Sequence, residues 1–301
     1  MTQVATPGRP FGRLLTAMVT PMTADGGLDL DGAQRLATHL VDELGNDGLV
    51  LSGTTGESPT TTDAEKDALL RAVLEAVGDR AHVLAGVGTN DTAHTVELAQ
   101  AAAKAGADGL LLVTPYYNKP PQEGLYRHFV TVAEATDRPV MLYDIPGRTG
   151  VPIATETLLR LAAHPRIVAV KDAKCDILAA TRVLGETGLS IYSGADEFNL
   201  ALAAIGASGA VSVVAHAVGR EINDMYDAFD AGDTTRAAKI NQRLAPVYVG
   251  MMTRTQGVIT SKAVLGMRGL PGGPVRLPLV DADDALRDTL RADFAAAGIT
   301  L

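Results

Sequence analysis

A chain of 301 residues with 47% hydrophobic and 20% charged side chains is globular, long enough for one large α/β domain or two ordinary ones, and too apolar for dominant disorder. A formal net charge of −9 repels polyphosphate backbones, and no basic run interleaved with aromatics offsets it, so nucleic acid is excluded as an expected partner. The single cysteine, Cys175, excludes an intrachain disulfide and a thiolate metal cluster, while residues 1–10 lack the basic start and apolar core of a signal peptide and no stretch of about 18 apolar residues spans a bilayer; the expectation is a cytoplasmic protein with no membrane contact.

Along the chain, short runs rich in Val, Leu and Ile predict strands at 14–19, 48–52, 83–86, 109–113, 140–143, 167–171, 190–193 and 209–212. Helical patterns fill the gaps between them. Asp31 with Gln34 opens a helix carrying Leu36, Leu40, Val41 and Leu44 and closed by Gly45. After the second strand, Thr62 with Glu65 makes a capping box, Ala68, Leu69, Val73, Ala76 and Val77 mark an apolar face, and Gly78 suits a left-handed stop. Eight strand and helix units predict an α/β protein, a (β/α)8 TIM barrel closed by parallel strands, rather than an open sheet. Beyond about residue 220 only helical segments follow, at 221–231, 234–249 and 281–297, and in the last Leu286, Leu290 and Phe294 share one stripe. The division is a catalytic barrel over 1–232 and a C-terminal helical extension over 233–301, with 270–274 as a Pro- and Gly-rich loop crossing the surface.

In such a barrel the chemistry sits at the C-terminal ends of the strands. There the chain reads Gly53-Thr54-Thr55-Gly56-Glu57, then Thr114-Pro115-Tyr116-Tyr117-Asn118, then Tyr143-Asp144-Ile145-Pro146-Gly147-Arg148, and finally Lys171. Strand alternation puts Lys171 on the face of Ile167 and Ala169. If that face lines the barrel, burial disfavours the ammonium and supplies a neutral amine able to attack a ketone. A strand-end lysine also pairs readily with a neighbour such as Asp172 or reaches solvent, but Tyr143 on the adjacent strand offers a phenol to shuttle protons. Lys174 is the rival nucleophile, three residues beyond the strand. The Gly53 to Glu57 turn suits a small carboxylate and equally a tight approach to the helix capped at Thr62; Tyr116 and Tyr117 also fit as packing aromatics; and Arg148 offers a carboxylate clamp or a solvated loop cation. Six histidines, at 39, 82, 94, 128, 164 and 216, show no paired ligand spacing, and no Gly-x-Ser-x-Gly elbow supports a hydrolase. No metal is expected.

Together, Gly53-Thr54-Thr55-Gly56-Glu57, Tyr143-Asp144-Ile145-Pro146-Gly147-Arg148 and Val168-Ala169-Val170-Lys171-Asp172 resemble, in order and spacing, the dihydrodipicolinate synthase branch of the pyruvate-dependent class I aldolases. The similarity extends from about Leu15 to the Arg276-Leu277-Pro278-Leu279 segment. The resemblance implies that Lys171 forms an imine with pyruvate, with no other cofactor, and that the derived enamine attacks the aldehyde of L-aspartate 4-semialdehyde. The cyclised product is 4-hydroxy-tetrahydrodipicolinate, the first committed step towards diaminopimelate and lysine. It further implies that Thr54 and Thr55 hold the pyruvate carboxylate, that Tyr143, Thr55 and Tyr117 form a proton relay, and that Arg148 binds the second carboxylate. Gly194 and Val211 match positions whose backbone lines the pocket, and Tyr117 arrives from a neighbouring subunit of a homotetramer built as two tight dimers.

The chain departs from the family in two places. Where relatives often carry two acids after Ser193-Gly194, it has Ala195 and Asp196. In the pocket where lysine-sensitive relatives bind lysine, Ser58, Asn90 and Tyr116 match, but Asp63 and Lys66 replace two histidines and His94 replaces the glutamate that receives the ammonium. Two other readings remain: an aldolase for sialic acid or 2-keto-3-deoxy sugar acids, which Arg148 and the double threonine disfavour, and a non-catalytic keto-acid-binding barrel, which needs no amine beside a phenol.

Overall fold

The computed structural model describes residues 8–301. Residues 1–7, which open the expected barrel segment and include most of the stretch expected to lack signal-peptide features, lie outside the described residues. Eight parallel strands, β1 (Leu14–Ala17), β2 (Gly48–Leu51), β3 (His82–Gly86), β4 (Gly109–Val113), β5 (Val140–Asp144), β6 (Ile167–Asp172), β7 (Ser190–Ser193) and β8 (Gly209–Ser212), form a closed barrel in sequence order. All eight fall where the apolar runs predict them. Strands covered on both faces are apolar throughout, which is why each run is nearly continuous.

Their inward side chains, among them Leu15, Val50, Leu84, Leu111, Met141, Ala169 and Val211, pack as a core inside the barrel. Leu14, Leu49, Val83, Leu110, Val140, Val170 and Ala210 point outward into the layer shared with the helices. Phe11 plugs the N-terminal end, held by its backbone N–H to the Tyr192 hydroxyl at 3.3 Å, while that hydroxyl donates to the Gly12 carbonyl at 2.8 Å. At the same end β1 and β8 approach so closely that a Cβ on Gly209 would lie 1.8 Å from the Arg13 carbonyl oxygen.

One face assignment is corrected. The register jumps from Val140 opposite Ile167 to Met141 opposite Ala169, leaving Val168 as an extra residue. Ile167 therefore belongs to the outer core, while Ala169 and Lys171 keep the inner face.

The capping box at Thr62 is present in both directions, Glu65 N–H to Thr62 Oγ1 at 3.2 Å and Thr62 N–H to Glu65 Oε2 at 2.7 Å, and it starts the Asp63–Val77 helix. Two boundaries differ from expectation. The Leu30–Thr38 helix is capped by Asp29, whose carboxylate accepts the Gly32 N–H at 2.8 Å, and not by Asp31; Gln34 instead donates to the Ala72 carbonyl on the next helix. Gly78 is right-handed at φ −65°, because the chain continues in further turns onto the Val77 carbonyl, whereas Gly45 does adopt φ +71°.

After β8 come helices Ala215–Asp230, Thr234–Tyr248, Gly257–Met267 and Asp284–Ala296. Leu290 and Phe294 are fully buried and Leu286 packs beside them, as the stripe predicts. The Gly257–Met267 helix carries no sequence signal of its own, since Val258 through Leu265 are all buried and leave no polar face to set a period. The loop after it does not simply cross the surface. It is tied to the segment after β1 by Met22 N–H to the Gly272 carbonyl at 3.1 Å, and Gly273, at φ +66°, passes so near Met22 that a Cβ would overlap its carbonyl.

Candidate active site

Lys171 stands next to last in β6, directly across from Tyr143 in β5. Both are buried, at 4% and 5% exposure, and the lysine Nζ lies 4.2 Å from the centroid of the tyrosine ring. Gly194 makes room on the other side, where a Cβ would sit 3.0 Å from the Lys171 Cγ. Above the pair opens a cavity of about 320 Å³ lined by Lys171, Tyr143, Thr54, Thr55, Arg148 and Gly194. An adjoining cavity of about 240 Å³ shares Thr54, Tyr143 and Arg148 and continues to Ser58 and Tyr116.

The two threonines ride on a turn built by its own backbone. Glu57 N–H reaches the Thr54 carbonyl at 3.1 Å, Ser58 N–H reaches Gly53 at 3.2 Å, and the Thr20 hydroxyl ties the Gly56 carbonyl at 2.6 Å. Glu57 holds an unusual left-handed φ of +55°, and its buried carboxylate is locked by Lys262 Nζ at 2.6 Å and the Arg276 N–H at 2.8 Å. Lys262 also donates to the Pro274 carbonyl at 2.7 Å, so the C-terminal helices fix the shape of the turn.

Arg148 follows β5 in the short Pro146–Thr149 turn, exposed at the cavity mouth, and donates to Gln256 Oε1 at 2.6 Å. Lys174 does not enter the cavity. Its Nζ is 3.4 Å from Asp144 Oδ2 and donates to the Ile153 carbonyl at 3.3 Å. Burial pushes the Asp144 carboxyl up to about 6 against the pull of Lys174, and burial likewise raises Asp172, whose Oδ1 accepts the N–H groups of Lys174 and Cys175.

Tyr117 lies apart from these residues. It is 89% exposed at φ +73° and lines neither cavity. Val211 is packed within the barrel core at 1% exposure, and Val213 on the same strand's extension lines the cavity in its place. Ala195 contributes a carbonyl to the Ser193 hydroxyl at 2.8 Å, while the buried Asp196 accepts Ser212 Oγ at 2.5 Å and the N–H groups of Val213 and Val214 at 2.9 and 3.1 Å, fixing the end of β8.

The sequence alone does not single out Gln256 or Lys262, and it marks Asp196 as a departure from the family without showing its role at the end of β8. Lys262 had a signal, a lone cation within the apolar stretch 257–267. Among the described residues no group of three His, Cys, Asp or Glu side chains is placed to hold a metal ion.

A closed parallel barrel that presents one buried amine against a phenol at neighbouring strand ends, under a hydroxyl-bearing turn and a guanidinium, is the framework of a class I aldolase, a lyase. The chain belongs to the dihydrodipicolinate synthetase family, which it matches over residues 10–297. It is 63% identical, over the full length of both chains, to 4-hydroxy-tetrahydrodipicolinate synthase 2 of Streptomyces coelicolor. Among solved structures it is similar to the dihydrodipicolinate synthase of Cyanidioschyzon merolae with lysine bound, at 41% identity and a TM-score of 0.93 over 96% of this chain and 99% of that one. It is also similar to a monomeric dihydrodipicolinate synthase variant, at 35% identity and a TM-score of 0.92 over 98% of this chain and all of the other.

Proposed function

We propose that this protein condenses pyruvate with L-aspartate 4-semialdehyde to 4-hydroxy-tetrahydrodipicolinate through an imine on Lys171. The observation that carries the reading is the buried Lys171 amine over the Tyr143 ring at the floor of a cavity rimmed by two threonines and an arginine. The unprotonated amine attacks the ketone of pyruvate and expels water. The resulting imine loses a methyl proton, and the enamine adds to the aldehyde. Tyr143, Thr55 and Tyr117 relay protons, Thr54 and Thr55 hold the pyruvate carboxylate, Arg148 holds the carboxylate of the second substrate, and Gly194 keeps the pocket open beside the amine.

The relatives' shared name favours this reaction over a sugar-acid aldolase, and a lysine placed against a phenol favours an enzyme over a silent binding barrel. Assembly as a tetramer of two tight dimers rests on the family resemblance, which places Tyr117 in a partner's site, and the 89% exposure of Tyr117 agrees with that placement. The direct test is borohydride reduction with pyruvate, which should add one pyruvate-derived group per chain on Lys171. Trapping on Lys174, or none, refutes the mechanism.

A further inference from the structure

We propose that Lys174 is a positioning residue: with Asp144 it closes the base of the loop that carries Arg148, and so sets the affinity for the second substrate. The inference rests on the proposed function for the meaning of Arg148. The loop leaves the barrel at Asp144, the last residue of β5, and returns at Ile153. Asp144 Oδ1 accepts the Ile153 N–H at 3.1 Å, and Lys174 Nζ bridges Asp144 Oδ2 at 3.4 Å and the Ile153 carbonyl at 3.3 Å. One ammonium thereby joins both ends of the loop. The Asp144 carboxylate is 1% exposed and the lysine side chain 15%, so water does not substitute for either partner.

Lys174 is itself held in place. Its backbone N–H donates to Asp172 Oδ1 at 2.8 Å, and the Ala173 N–H donates to the Asp144 carbonyl at 2.9 Å, so the chain leaving β6 turns its second residue back over β5. At the far tip of the loop Arg148 has one hydrogen-bonded side-chain partner, Gln256. A guanidinium anchored at its tip by one neutral amide depends on the base of its loop for position, and small misplacements of such groups are costly to the reaction. The charged groups facing Asp144 are Lys174, which favours its ionised form, and Asp172, which opposes it.

The test uses the full-length protein as wild type, Lys174→Met and Lys174→Arg. Hydrogen exchange of the amides of residues 145–153 should accelerate several-fold in Lys174→Met, and KM for aspartate semialdehyde should rise about tenfold, as expected for losing one charge-assisted contact. KM for pyruvate and borohydride trapping on Lys171 should stay within about twofold, and Lys174→Arg, which can bridge the same oxygens, should recover most of both effects. Unchanged loop exchange, an unchanged semialdehyde KM, or equal rises in both KM values overturns the proposal. If Lys174→Met does not fold, Lys174→Gln, which keeps a neutral donor, takes its place in the same comparison. Failure of the wild type to trap pyruvate would refute the proposed function, and loop exchange would still decide whether Lys174 closes the loop.

Discussion

The carboxylate of Glu57 lies 2.6 Å from the ammonium of Lys262, 205 residues further along the chain, and both side chains are sealed from solvent. The pair joins the turn that carries Thr54 and Thr55 to the Gly257–Met267 helix and holds Glu57 in a left-handed conformation that costs a non-glycine residue about 1–2 kcal/mol. Burial pushes the Lys262 ammonium down, and Glu57 works against that shift.

Removing one partner of such a pair leaves a buried charge uncompensated, at a cost of about 3–5 kcal/mol. Lys262→Met should therefore lower Tm strongly and raise KM for pyruvate, because the turn relaxes. The double variant Lys262→Met with Glu57→Gln should regain part of the stability. Thermal denaturation of the wild type, Lys262→Met, Glu57→Gln and the double variant decides this, and additive losses in the double variant would show that the two charges do not depend on one another.

Arg148→Ala should weaken use of aspartate semialdehyde by roughly 1.5–3 kcal/mol, the worth of a hydrogen bond to a charged group, while leaving imine formation intact. Gln256→Leu should give a smaller loss of the same kind, since it frees the guanidinium without removing it. Steady-state kinetics in both substrates, paired with pyruvate trapping, separates this outcome from a general structural defect, which would depress both.

The barrel and the rim were legible because each strand is an apolar run covered on two faces, and the residues after each run are those the barrel gathers at one end. Local sequence carries no comparable signal for the extra residue at Val168, which displaces Ile167 from the inner face, or for the cap at Asp29, two residues ahead of an equally plausible acid. The Gly257–Met267 helix is hidden by its burial on all sides, and with it went Gln256 and Lys262. Partners such as Glu57 and Lys262 meet only through tertiary packing, so the turn was readable while its lock was not.

Two buried histidines set a pH limit on stability. His216 is committed at both ring nitrogens, accepting the Val19 N–H at Nε2 (3.0 Å) and facing the Val213 carbonyl at Nδ1 (2.7 Å), while His128 Nδ1 pairs with Thr92 Oγ1 at 2.9 Å. Burial lowers both to about 4 from an ordinary 6.5. The folded state then binds fewer protons than the unfolded one between these values, so stability falls as pH drops from 6.5 to 4 and is untouched by these groups above 6.5. Asp144, raised to about 6, acts in the opposite sense between about 6 and 3.8, as does Asp172, which burial also raises, so the contribution of each histidine is read from its own variant. Urea unfolding across pH should show a shallower decline below pH 6.5 for His128→Gln than for wild type, and identical slopes would rule out this assignment.

Tyr117, 89% exposed and outside the lining of its own chain's cavities, should act in the cavity of a second copy. Tyr117→Phe should lower turnover without changing assembly. Mixing Tyr117→Phe with Lys171→Ala chains should restore activity in hybrid dimers, each of which contains one site with both residues intact. No recovery would place the tyrosine outside the partner's site.

The last prediction concerns feedback by lysine. The Cyanidioschyzon merolae relative binds lysine in its crystal structure, and the resemblance places the corresponding pocket at Ser58, Asn90 and Tyr116, with Asp63, Lys66 and His94 at the substituted positions. Ser58 and Tyr116 line the second cavity, whereas Asp63 and Lys66 border a separate narrow crevice. The carboxylate nearest the position of the missing glutamate is Asp63, which His94 contacts. It is already engaged: His94 Nε2 lies 2.8 Å from one of its oxygens and Lys66 Nζ 3.7 Å from the other, and the His94 contact holds its carboxyl below the ordinary range. A lysine ligand would have to displace one of these partners and would meet the Lys66 ammonium at close range. Losing a charge-assisted hydrogen bond is worth about 1.5–3 kcal/mol, or roughly tenfold to a hundredfold in affinity. Lysine at millimolar concentration should accordingly inhibit weakly or not at all, and His94→Glu should increase sensitivity by restoring an unpaired carboxylate. Half-inhibition of the wild type below about 1 mM in a steady-state assay would show that Asp63 serves the ammonium despite its existing partners.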